Sequence, residues 1–255
     1  AIGSSLAWAE VLGKMGHTVT CLVPNRYPAF LDWMPGIDKM IVAKEQPELA
    51  AQVVAEAEVV FIMDLNKIDR LDSMSEPLEE STVPRILIDH HLMPPDDYTL
   101  QFSYPEICST AFVTYKLIEA TVGVESISAE MAENLYAGIM TDTGNFSYNS
   151  NRPQIYGMIA QLIAAGADKD AIYNAVFNQY SADRIKLVGY CLYQKMRVFP
   201  EHHVALIYLN RKELYRFNFQ KGDAEGIVNM PLQSKDIHYS VFMREDKATP
   251  DEMEK

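Results

Sequence analysis

Two short apolar runs restrict the possible folds of this chain more than any other feature. Residues 59–63 (Val-Val-Phe-Ile-Met) lead into Asp64, and Ile86-Leu87-Ile88 leads into Asp89-His90-His91. Uninterrupted runs of β-branched, aliphatic and aromatic residues mark strands buried on both faces, as in a parallel sheet. In an open α/β sheet the ligand crevice lies beyond the carboxyl ends of the strands. Both runs therefore deliver a carboxylate, and one of them two imidazoles, to the edge where such a sheet does its chemistry. For a single Asp or His, a polar turn after a core strand is the competing reading. Two adjacent histidines in a chain holding only six, matched by a second strand that ends in Asp64, favour a site.

The rest of the first half fits the same architecture. A helix over residues 4–16, with apolar Leu6, Ala9, Leu12 and Met15, stops at Gly16. β-rich runs follow at 17–24 and 39–43. After them come an alanine-rich helix at 47–57, the strand at 58–64, a polar helical segment at 66–79, the strand at 84–91 and an edge strand at 99–104. Such alternation predicts an α/β fold with a mostly parallel sheet and helices on both faces. Helical spacing then dominates at 109–121, 128–139, 153–165, 168–178 and 181–197. Beyond Pro200 the pattern returns to a strand at 202–209, a short helix at 211–217, a glycine-bearing turn at 222–226 and a strand at 237–244. The expected organisation is a first domain over 1–180, a connecting helix over 181–199 and a smaller, incomplete α/β domain over 200–255. Both ends read as cut, the start as a helix without its preceding strand and residues 247–255 as a charged tail.

Composition narrows the function. With 48% hydrophobic and 22% charged residues, the chain is a folded protein rather than a disordered one. No apolar run approaches the roughly 20 residues that span a bilayer, so no membrane association is expected and the cytoplasm is the default location. Cys21, Cys108 and Cys191 are odd in number and far apart, which suits reduced thiols better than a disulfide frame. A net charge of −13 argues against a long nucleic-acid groove, because that mode needs clustered Lys and Arg. Short phosphorylated substrates remain open, since divalent cations in a carboxylate pocket can hold a phosphate.

The third candidate is Asp142, in Gly138-Ile-Met-Thr-Asp142-Thr-Gly-Asn-Phe146. A helix-ending turn explains it equally well in isolation. The apolar helix before it carries the carboxylate inward, however, and a buried carboxylate needs a partner or a metal. Asp64 with Asp89-His90-His91 makes a mixed oxygen and nitrogen donor set, suited to Mn2+ or Mg2+ and less to zinc, with Asp89 placed to orient an imidazole.

These motifs carry a resemblance. Asp89-His90-His91, Asp64 on the preceding strand, Thr141-Asp142-Thr143-Gly144 and the opening Ala1-Ile2-Gly3-Ser4 are together similar to the DHH phosphoesterase superfamily, in order and in spacing. The opening matches the second half of the family motif Asp-x-Asp-Ala-x-Gly-Ser, whose aspartates would precede position 1. Residues 225–232 and 242–245 resemble the start of the DHHA1 domain, although the Gly-Gly-Gly-His motif that closes it is missing. Asp64-Leu-Asn66…Arg70 and the Glu225–Asn229 stretch resemble the NrnA-type branch, bifunctional oligoribonucleases that also act as pAp phosphatases.

The resemblance implies a two-metal hydrolase using two Mn2+ ions in the intact protein, with Mg2+ as the alternative, and assembling as a homodimer. Asp64 would bridge the ions and His90 and Asp142 would complete one of them. Asp89 and His91 are the catalytic candidates, Asp89 orienting His90 or tuning the site and His91 donating to the phosphate. Gly3, Ser4, Arg70, Asn229 and Arg244 are the substrate-binding candidates. Ser4 as a plain helix cap and Arg70 as a solvated ion pair compete with those roles. Phe146 and Tyr148 could stack on a base or simply pack. His202-His203, which start a strand, read as surface or interface residues. The expected substrate is a short RNA or pAp. The alternatives are an inorganic pyrophosphatase or RecJ-like exonuclease of the same superfamily, or a non-catalytic nucleotide-binding protein if the first motif is truly absent.

Overall fold

The computed structural model describes residues 1–94, 96–220 and 222–245. The chain divides into two units, Ala1–Val176 and Phe177–Lys255. In the first unit the elements are α1 (Ile2–Lys14), β1 (Leu22–Val23), β2 (Ile41–Val42), α2 (Pro47–Glu56), β3 (Val60–Met63), α3 (Ser75–Glu80), β4 (Arg85–Asp89), β5 (Leu100–Ser103), α4 (Thr110–Thr121), α5 (Ala129–Asp142), α6 (Pro153–Ala164) and α7 (Lys169–Phe177).

All strand pairs of this unit are parallel. β4 is the middle of the sheet β3-β4-β5, with Ile62 beside Leu87 and Ile88 beside Phe102. Leu87 and Ile88 are fully buried, as expected for a central parallel strand covered on both faces. β1 and β2 form a separate two-stranded parallel ladder. The β-rich run at 17–24 contributes only Leu22 and Val23 to it, and residues 17–20 are exposed. β propensity makes a strand only where a partner pairs with it.

α1, α4 and α5 pack closely because two glycines let backbones approach. A Cβ on Gly3 would stand 2.1 Å from the Asn134 carbonyl oxygen of α5, and one on Gly138 would stand 2.8 Å from Ala111 Cβ of α4. α4 and α5 start on serine caps: Ser109 Oγ accepts from the Phe112 N–H and Ser128 Oγ from the Met131 N–H, both at 3.1 Å. The polar segment at 66–79 is not one helix. It is a 3-10 stretch, Ile68–Met74, with Asp72 in the left-handed half of backbone space (φ 48), and then α3 begins anew. Pro77 explains the restart, since proline is accommodated in a first helical turn and not in an interior.

The second unit contains α8 (Ala182–Tyr190), β6 (Arg197–Phe199), β7 (Val204–Leu209), α9 (Arg211–Arg216) and β8 (Tyr239–Arg244). β7 is central, antiparallel to β6 and parallel to β8. The helix expected over 181–197 leaves α geometry after Tyr190 and closes in a π turn, Cys191–Lys195, in which Met196 N–H donates to Cys191 O at 2.8 Å. Leu187 and Cys191 belong to the buried core of this unit, together with Ile207, Leu209 and Ile227. Residues 181–199 are thus part of its body. The charged tail expected at 247–255 lies outside the described residues. No helix among the described residues is long and apolar enough to cross a membrane.

Candidate metal centre

β3 and β4 deliver the site from neighbouring positions. Asp64 follows β3 with its N–H still on the ladder, donating to Ile88 O at 3.0 Å, and then turns into the left-handed region (φ 61). A non-glycine residue held there is uncommon and costs backbone strain, and such residues gather at functional sites. The turn throws the carboxylate off the end of the sheet beside the residues that leave β4.

Both imidazoles are fixed by their Nδ1 atoms. His90 Nδ1 lies 3.1 Å from Ile107 O, and since a carbonyl can only accept, that nitrogen carries the proton. Nε2 is then the nitrogen left to face the carboxylate, and it stands 3.5 Å from Asp64 Oδ1. His91 Nδ1–H donates to Asp89 Oδ1 at 2.7 Å. Asp89 is fully buried, and its second oxygen has no hydrogen-bond partner among the described residues. The expectation that Asp89 orients His90 is therefore corrected. Asp89 holds His91, and the Ile107 carbonyl holds His90. Asp64, His90 and His91 each offer a ligand atom within 4.8 Å of the others.

Asp142 ends α5 and faces this group electrostatically without belonging to that tight trio. Burial, and then the charge of Asp64, push its carboxyl up to about 6 against the opposing pull of the Ala1 ammonium, His90 and His91. Asp64 goes the other way. Burial would raise it, but the Ala1 ammonium at 2.6 Å from Oδ2, the Thr110 hydroxyl and His90 outweigh burial and hold it at about 2. A carboxyl raised by burial beside a second carboxylate, as Asp142 is, is the condition a divalent cation relieves. The turn that places Asp142 is fixed by Thr143, fully buried, whose Oγ1 donates to Ile139 O at 2.7 Å and accepts from Phe146 N–H at 3.0 Å.

The remaining candidates are dispersed. Ser4 is buried, with 1% exposure, inside α1 and near Gly138, its Oγ without a hydrogen-bond partner among the described residues, and Gly3 is pressed against Asn134. Ser4 is not the cap of α1, whose cap position is Ala1. Arg70 is exposed, with Nη1 3.5 Å from Asn66 Oδ1. Asn229 and Arg244 lie in the second unit, both exposed, Arg244 with its guanidinium over the Phe219 ring. Phe146 packs edge-on against Tyr136, while Tyr148 is exposed. Two contributors escape sequence reading. One is the Ile107 carbonyl, a main-chain atom that no residue identity reveals. The other is Thr110, whose Oγ1 donates to Asp64 Oδ1 at 2.7 Å. Ser109-Thr110 was a usable signal there, because one hydroxyl suffices to cap a helix.

Fold and site together define an α/β protein with a candidate cation centre of one carboxylate and two imidazoles at the carboxyl edge of a parallel sheet. A family model described as the DHH family, N-terminal domain, matches residues 1–139, and the chain belongs to that family. It is 31% identical over 170 residues to the bifunctional oligoribonuclease and PAP phosphatase NrnA of Thermus thermophilus, covering 65% of this chain and 46% of that protein. It is 25% identical over 267 residues to the probable bifunctional oligoribonuclease and PAP phosphatase NrnA of Streptococcus mutans, covering all of this chain and 80% of that protein. The first curated relatives are matched over only 35% and 46% of their own lengths. Among solved structures, an exopolyphosphatase-related protein from Bacteroides fragilis is similar with a TM-score of 0.93 and 43% identity over 96% of this chain and 72% of that one.

Proposed function

We propose that this chain is a divalent-cation-dependent phosphoesterase that hydrolyses short oligoribonucleotides and pAp, with Mn2+ as the working metal and a two-ion centre in the intact protein. The observation that carries this reading is the His90 ring. Its Nδ1 is committed to the Ile107 carbonyl, so Nε2 is the nitrogen left to face Asp64 Oδ1 and a cation placed beside it. A neutral imidazole and a carboxylate whose partners are already assigned are what a cation of intermediate hardness requires. Asp64 and His90 would hold the metal, with Asp142 joining them. When bound, divalent cations supply charge stabilisation to the attacking and leaving oxygens of a phosphoryl transfer.

The chain's own groups supply the rest. Asp89 anchors the Nδ1–H of His91, which fixes the ring and presents Nε2 outward; protonated there, His91 donates to a phosphate oxygen. Thr143 holds the turn that aims Asp142. Support for the substrate class comes from the names of the Thermus and Streptococcus relatives and from the net charge of −13, which disfavours long strands. Asn229 and Arg244 enter as substrate contacts, and a homodimer as the assembly, on resemblance alone. The reading places the enzyme in the cytoplasm, in keeping with three free thiols.

A second reading is favoured by one observation, the 43% identity to the exopolyphosphatase-related protein from Bacteroides fragilis. The experiment sets RNA dimers, pentamers and 20-mers, pAp, pyrophosphate and polyphosphate side by side, with Mn2+ and with EDTA. The proposal expects RNA dimers and pAp to be cleaved, and EDTA to remove at least about 100-fold of the rate. It expects kcat/KM to fall toward the 20-mer, and added salt to narrow that fall by screening repulsion. Turnover of polyphosphate or pyrophosphate alone would replace it, as would 20-mers cut as efficiently as dimers.

A further inference from the structure

The main chain at Asp64 is fixed by its N–H bond to Ile88 O and by its left-handed turn, but these do not set where the carboxylate points. Thr110 does. Its Oγ1 donates to Asp64 Oδ1 at 2.7 Å, from 46 positions away in the chain. Thr110 is fully buried at the first position of α4. The helix does not need this hydroxyl, because Ser109 already caps it. Thr114, one turn on, shows the usual habit of a helical threonine by returning its Oγ1–H to Thr110 O at 2.9 Å. At Thr110 the hydroxyl turns outward from its own helix, to the sheet edge. A buried hydroxyl costs desolvation that an isosteric valine would avoid, so its use is to be sought in its acceptor.

We infer that Thr110 is a positioning residue for the cation centre. Its O–H occupies one lone pair of Asp64 Oδ1, which fixes the carboxylate's rotation. The rest of Oδ1 then faces His90 Nε2, 3.5 Å away. α4 thereby becomes a rigid backing for the metal edge. This inference rests on the proposed cation-dependent reading of the site.

The test measures Mn2+ affinity of the full chain by calorimetry, for the parent, Asp64→Asn, Thr110→Val and Thr110→Ser, with a metal-free thermal melt of each. The expected result is a loss of about 10- to 100-fold in Mn2+ affinity for Thr110→Val and recovery to within about threefold of the parent for Thr110→Ser. Should Thr110→Val give no cooperative melt, Thr110→Ala takes its place in the same comparison with Thr110→Ser. If the parent and Asp64→Asn bind Mn2+ equally weakly, the cation reading itself fails, and this inference with it. If Asp64→Asn abolishes binding but Thr110→Val binds like the parent, the centre stands and the positioning role is overturned. Equal losses in Thr110→Val and Thr110→Ser would overturn it too, by assigning the effect to packing rather than to the hydroxyl.

Discussion

The chain contains the dipeptide His-His twice, and the two copies show how much of a site is made by its surroundings. His90-His91 follows a buried parallel strand, with one ring held by a carbonyl, the other by a buried carboxylate, and Asp64 within 4.0 Å of both. His202-His203 sits in an exposed turn opened by Pro200, with His203 in the left-handed region (φ 54). Its ring stacks on His238 with centroids 4.5 Å apart, and its Nδ1 donates to Asp236 O at 3.1 Å. The acidic neighbour of His202 is the exposed Glu201, at 3.9 Å. The residue types are the same. Among the described residues only the first pair has a buried carboxylate on one ring and a second carboxylate within 4.0 Å of both, and such anchoring makes a ligand of a histidine.

The largest expected effect breaks the first pair. His90→Ala should lower Mn2+-dependent turnover of a short RNA by more than about 100-fold while circular dichroism remains that of the parent, because the ring lies at a solvent-facing edge. Retained activity would remove His90 from the centre.

Next comes Asp142, which sharpens the contrast through pH. Its carboxyl, at about 6 against the ordinary 3.8, keeps a proton in the metal-free native state over a range where the unfolded chain has lost it. Stability of the metal-free protein should therefore fall as pH rises from about 4 to about 6 and stay lower above that range. Asp142→Asn should recover about 2–3 kcal/mol at pH 7.5 and flatten the dependence. Thermal melts over that pH range read both, and an unchanged slope in the variant would contradict the assignment.

The second unit holds a carboxylate with the opposite sign. Glu213 is drawn below the ordinary range: burial opposes this, and Lys195 at 2.7 Å, Tyr190 and the Asn210 N–H outweigh it. Its contribution is present above the unfolded value and lost as pH falls through the native one. Glu213→Gln should cost about 1–2 kcal/mol at neutral pH, and less in acid. Denaturant melts at two pH values measure it. Smallest of all, His202→Ala with His203→Ala should leave turnover within about threefold and stability within about 0.5 kcal/mol. A large loss of Mn2+-dependent activity there would erase the distinction between the pairs.

Strand ends, helix caps and the edge where the acids and imidazoles gather were legible in the sequence because each depends on local pattern. Leu87 and Ile88 announce a two-sided core, and Ser109 and Ser128 announce helix starts. The Ile107 carbonyl, the Asp89 to His91 pairing and the Thr110 bond were not legible, since each depends on where β4, the loop after β5 and α4 come to lie in space. The π turn after Tyr190 belongs with these. It lets Tyr190 and Lys195 reach the same Glu213 oxygen, a tertiary gain that helical periodicity cannot register. His203 departs from the expected strand for a local reason, the turn begun by Pro200, so that the ladder starts at Val204.

The most direct test of the central claim is anomalous diffraction at the manganese edge from crystals of this chain grown with Mn2+. A peak about 2.0–2.3 Å from both His90 Nε2 and an Asp64 oxygen, lost in His90→Ala crystals, is the predicted result. Peaks confined to His202, His203 and His238, or no peak at the sheet edge at saturating metal, would contradict it.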